Sequence, residues 1–121
     1  MRIALITALA SVSLLAACGD DGGSTPIDAP PTSSITSVTC AGATIAATVT
    51  APGFAFTPMS TTISAGEIVQ FTMPGEHTAT SDVAGLFRVG GGATGCFRFP
   101  VAGSFPFHCE PHGFDGTIVV Q

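Results

Sequence analysis

The sequence predicts an all-β fold, a β-sandwich or small barrel, and three observations carry that expectation. Gly and Pro are abundant, 15 and 9 of 121 residues, and both break helices. Short runs of β-branched and aromatic residues recur between Gly/Pro turns, the texture of small sandwiches and barrels. No stretch carries a convincing helix signal, and there is no internal repeat.

Each element follows from this texture. Thr44 to Thr50 mixes β-branched and small residues and reads as a strand. Phe54 and Phe56 alternate until Pro58 interrupts. Glu67 to Met73 is a second clear strand, entered through Gly66 and stopped by Pro74-Gly75. Gly90, Gly91, Gly92 and Gly95 mark a long loop. Cys96 to Phe99 and Phe105 to Cys109 then alternate across a turn at Ala102-Gly103, and Thr117 to Gln121 is a closing strand. In the run ending at Cys109, adjacent residues face opposite sides of the sheet. His108 therefore points away from whatever Cys109 faces, as a surface or packing residue. Met73 reads as core.

The N-terminus has a different character. Arg2 precedes an apolar stretch from Ile3 to Ala17 that is too short to span a bilayer comfortably, which reads as an export signal. Leu15-Ala16-Ala17-Cys18 resembles a bacterial lipobox, and that resemblance implies cleavage before Cys18 and a lipid on its sulfur. Gly19 to Ser37 is rich in Gly, Ser, Thr, Pro and Asp and buries too little apolar surface to order itself. The expected organisation is a signal peptide at 1–17, a lipid-anchored linker at 18–38 and a domain at 39–121. The expected location is the bacterial cell envelope, exported to the periplasmic or outer-membrane side, where disulfides persist. A domain of about 80 residues is marginal for an unassisted core, so a disulfide or a metal would help.

Composition narrows the function. The chain has 3 basic and 8 acidic residues, and charged residues make up 9%, far below the roughly 25% of an ordinary domain. Nucleic-acid binding by phosphate neutralisation is excluded, as is a basic membrane-surface helix. Loss of Arg2 with the signal would leave two Arg against eight acids, a charge of −6.

Three residues stand out. Cys109 and His112 flank Glu110-Pro111 at the end of a strand, and His77 sits in the Pro74-Gly75-Glu76-His77 turn after another. Two imidazoles and a thiolate form the ligand set of a blue-copper site. The run Gly103-Ser104-Phe105-Pro106-Phe107-His108-Cys109-Glu110-Pro111-His112, the closing Gly116 to Val120, and the stretch from Phe56 through Gly66-Glu67 to His77-Thr78 resemble the cupredoxins of the plastocyanin and amicyanin group. The resemblance covers roughly residues 44 to 121. It implies a Greek-key β-sandwich and one type 1 copper held by His77, Cys109 and His112.

One departure bears on the site. The family places an axial Met three or five residues after the second His, and here those positions hold Asp115 and Thr117. The axial candidates are Asp115, the ring of Phe114, or a backbone carbonyl near Gly75 or Glu76. Thr78 is placed to pin the Cys109 loop by a hydrogen bond. With Cys18 assigned to lipid and Cys109 to metal, Cys40 and Cys96 remain to form a disulfide, worth about 4 kcal/mol in the chain-entropy model.

The expected function is that of a lipid-anchored, single-electron carrier and not an enzyme. It would be a monomer that meets a redox partner transiently near His112, where Pro111, Gly113 and Phe114 supply an apolar patch. It touches membrane only through the Cys18 lipid. The alternatives are a copper-handling lipoprotein without an electron-transfer role and a metal-free β-sandwich that binds another protein.

Overall fold

A computed structural model describes residues 35–121. The expected signal peptide, Cys18 and nearly all of the expected linker lie outside the described residues.

Ten strands form two five-stranded sheets. They are β1 (Thr36–Val38), β2 (Ile45–Gly53), β3 (Ala55–Thr57), β4 (Ser60–Ile63), β5 (Glu67–Thr72), β6 (Ala79–Ser81), β7 (Arg88–Val89), β8 (Thr94–Phe99), β9 (Gly103–His108) and β10 (Asp115–Val120). One sheet runs β1-β8-β5-β2-β3 and the other β4-β10-β9-β6-β7. The β2/β5 and β4/β10 pairs are parallel and the rest antiparallel. The all-β sandwich expected from the sequence is what forms.

Alternation explains the inner faces. Along β9, Phe105 and Phe107 are buried while Ser104 and Pro106 are exposed. A one-residue slip against β10 would turn both rings outward, so burial itself specifies this register. Phe71, Phe87, Phe97 and Phe107 meet ring to ring between the sheets, and Phe56 extends the chain of rings towards Phe114. Burying a phenylalanine side chain contributes about 1.5–3 kcal/mol. Met73 is buried in this core, as expected.

Pairing with the sheet already includes the last residues of the expected linker, ahead of residue 39. Thr36, Ser37 and Val38 pair with Arg98, Phe97 and Cys96 of β8, and Ile35 is buried. This strand is mostly exposed. Backbone pairing holds it rather than a buried face, so its side chains gave little signal. Cys40 bonds to Cys96 two residues beyond it, with the Cα atoms 5.4 Å apart.

Register defines two ends of the sandwich. Thr72 lies opposite Thr94 and His108 opposite Asp115 at one end, while Glu67 lies opposite Phe99 and Gly103 opposite Val120 at the other. The loops after β5 and β9 leave from the first of these ends.

Candidate metal centre

His77 closes a tight turn, its backbone N–H donating to the carbonyl of Pro74 at 3.0 Å. That turn leans on the glycine-rich loop before β8. A Cβ built on Gly91 would collide with the carbonyl oxygen of Gly75, so only glycine permits this approach.

Cys109 follows directly on β9 and opens a loop that folds back on itself. Its N–H donates to the carbonyl of Phe114 at 2.9 Å, and the N–H of Gly113 donates to the Cys109 carbonyl at 2.7 Å. Gly113 has φ +74°, a left-handed conformation that other residues resist. The double closure carries His112 back over Cys109.

These two loops bring three donors together. The Nδ1 atoms of His77 and His112 are 3.1 Å apart, and each is 3.7 Å from the Sγ of Cys109. The point equidistant from the corners of this triangle lies about 2.0 Å from each atom, close to the imidazole and thiolate bond lengths of a transition metal. His77 and Cys109 are buried and His112 is exposed. Three lone-pair donors converging on one point, two of them out of water, suit a cation better than one another. The donor set therefore fits a soft transition metal, copper above all.

Surrounding contacts hold the triangle. The Thr78 N–H donates to Cys109 Sγ at 3.4 Å, and the Glu110 N–H donates to Thr78 Oγ1 at 2.9 Å. The turn bearing one imidazole is thus tied to the loop bearing the other. Arg88 reaches across and donates twice to Oε2 of Glu110, at 3.0 and 2.7 Å. Those hydrogen bonds hold the Glu110 carboxyl below its ordinary pKa and raise that of Arg88. On the outer face, His108 pairs its Nδ1 with Asp82 at 2.6 Å, pointing away from Cys109 as strand alternation requires.

The axial candidates part company. The exposed Asp115 stands outside the clustered side-chain donors. The Phe114 ring lies 5.2 Å from that of His77 and 6.3 Å from that of His112, and it offers no lone pair. The Gly75 carbonyl abuts Gly91, and Glu76 is exposed.

One residue at the site escaped the sequence reading. Phe54, at the tip between β2 and β3, sets its ring edge-on against both imidazoles. Its alternation with Phe56 marked it as an ordinary strand residue. Nothing in the local pattern distinguished it, because its position follows from the pairing of Gly53 with Ala55 across the tip.

Two sheets with a His–Cys–His group at one end define the class of the cupredoxin fold. Solved structures agree with that assignment. An oxidised amicyanin variant superposes with a TM-score of 0.59 at 19% identity, covering 73% of this chain and 99% of its own. Amicyanin from Paracoccus versutus gives 0.54 at 22%, covering 73% and 98%. A purple cupredoxin from Nitrosopumilus maritimus gives 0.54 at 21%, covering 62% and 99%. No family model matches the chain, and no curated protein does.

Proposed function

We propose that this chain is a type 1 copper protein that carries single electrons outside the cytoplasm, tethered to the bacterial cell envelope by a lipid on Cys18. The observation that carries the reading is the triangle of His77, Cys109 and His112, sized for one transition-metal ion. The similar solved structures include oxidised and reduced amicyanin and a Cu(I) form, which supports copper that changes oxidation state.

Bound copper would supply a one-electron couple whose thiolate bond shares charge with the metal. The chain's own residues hold that couple in place. The N–H of Thr78 faces the sulfur, the Thr78 hydroxyl anchors the loop, and two backbone hydrogen bonds close it. A frame fixed this way changes little when an electron arrives or leaves. His112 alone of the three reaches the surface. With Pro111 and Phe114 beside it, it is the point at which a redox partner docks, in a small and transient contact. The chain acts there as a monomer.

A second reading has one observation in its favour. No fourth His, Cys, Asp or Glu joins the triangle among the described residues, as suits a protein that hands copper on. The test is one titration. Purified protein with one equivalent of Cu(II) is expected to show intense visible absorption and a type 1 EPR signal, with a reversible couple by voltammetry. A pale, ordinary Cu(II) spectrum overturns the blue-copper reading. A blue form that releases Cu(I) rapidly on reduction favours copper handling.

A further inference from the structure

The nine phenylalanines divide unequally. Eight have another phenylalanine ring as neighbour and belong to the core or its extension at Phe114. Phe54 has none. Its aromatic neighbours are the imidazoles of His77 and His112, at centroid distances of 5.8 and 5.0 Å, both edge-on. The rest of the ring stands in water, with 75% of the residue exposed.

The backbone leaves Phe54 little choice of position. Gly53 pairs with Ala55 across the β2/β3 turn, so Phe54 is the single residue at the apex. The apex rises at the same end as the metal-binding loops. Phe114 meets the same two imidazoles, stacking on His112 at 10° between ring planes and meeting His77 at 73°. Phe114 is itself packed on Phe56 and belongs to the core side. Phe54 is the solvent-side member of the pair. The cluster offers three His or Cys donors among the described residues, and a metal ion held with a position left open can take water there, as catalytic zinc does.

We propose that Phe54 is a lid on the metal centre. Its ring limits the access of water and small ligands to the metal and slows the metal's departure. The ring has no lone pair to compete for the ion. Its contact with both imidazoles sterically opposes the ring rotation that would open the triangle, and the single-residue apex holds it there without core packing. This inference rests on the metal-centre reading above.

The test uses the copper-loaded wild-type chain and two variants, Phe54→Ala and Phe54→Tyr, with imidazole as the small ligand and EDTA as the acceptor of released Cu(II). Phe54→Ala is expected to change its visible and EPR spectra at imidazole concentrations that leave the wild type unaltered. Its copper should leave about tenfold faster, the lower end of what lost supporting contacts cost metal sites. Phe54→Tyr keeps the ring and should match the wild type in both measurements. The unfolding midpoints of the three metal-free proteins should agree, because the ring is mostly exposed, which separates a lid from a fold-stabilising residue. Wild-type imidazole resistance and release rate in Phe54→Ala overturn the lid and leave the metal centre standing. An alanine variant altered only in electron exchange with a partner also overturns the lid, assigning the ring to docking. A wild-type chain that takes up no copper overturns both readings.

Discussion

Thr78 connects the two halves of the metal centre through both ends of one residue. Its N–H faces the Cys109 sulfur, and its hydroxyl oxygen accepts the N–H of Glu110. Thr78→Val keeps the shape and the backbone contact but removes the acceptor. The Glu110 N–H then has only water to turn to, at a cost of about 1 kcal/mol in stability. The larger effect falls on the site, because the Cys109 loop keeps only the backbone contact of Thr78 and loses the hydroxyl's hold on Glu110. Copper affinity is expected to fall roughly 10- to 100-fold, the usual consequence of removing a contact that orients a ligand. Competition titration against a chelator measures it. An affinity equal to the wild type would show that the two backbone bonds closing the loop suffice. Thr78→Ser, which restores the hydroxyl, should recover most of the loss.

At the scale of elements, the His77 turn is held by a neighbouring loop as much as by its own sequence. A side chain on Gly91 would strike the Gly75 carbonyl, a backbone atom that cannot swing aside. Gly91→Ala should therefore push the two loops apart, costing about 1–3 kcal/mol as overpacking and displacing His77 from the triangle. A weakened or rhombic copper EPR signal together with a lowered unfolding midpoint is the expected result. An unchanged spectrum would mean that the glycine loop moves instead of the turn. The sequence foretold only part of this. His77, Cys109 and His112 were legible because the residue types and the strand run before Cys109 mark them. The core strands β2, β5, β8, β9 and β10 were legible because their buried faces force alternation or apolar runs. Strands β1, β4, β6 and β7 were not, being two to four residues long and held by pairing with longer neighbours. β4 did carry a signal, with Thr61 and Ile63 buried between exposed Ser60 and Thr62, but four residues of Ser-Thr-Thr-Ile are too few to separate from a loop. The approach of Gly91 to Gly75 and the placement of Phe54 arise between segments distant in the chain, where local pattern says nothing.

For the molecule as a whole, two fastenings act on different parts of one small core. The Cys40–Cys96 bond ties the segment after β1 to β8, while the His–Cys–His triangle ties the loops at one end. A domain near this size has a total stability of about 5–10 kcal/mol. Losing a bridge between residues 56 apart in sequence costs about 4 kcal/mol in the chain-entropy model, a large share of that total. The double variant Cys40→Ser/Cys96→Ser should therefore lie close to its unfolding threshold without metal, its midpoint lowered by roughly 20 °C. All three ligands converge only where the two loops are assembled, so copper favours the folded state over the unfolded chain, whose separate Cys and His bind it more weakly. A free concentration a thousand times its dissociation constant contributes about 4.1 kcal/mol, nearly equal to the lost bridge. Calorimetry of the double variant with and without Cu(II) should accordingly show a low transition that metal returns to near the wild-type, metal-free value. Substituting His77 in the same background should abolish the rescue without lowering the metal-free transition by a comparable amount. A double variant that melts with the wild type would locate the domain's stability in the phenylalanine core alone. A low transition that copper fails to raise would show that the triangle assembles too weakly to act as a fastening.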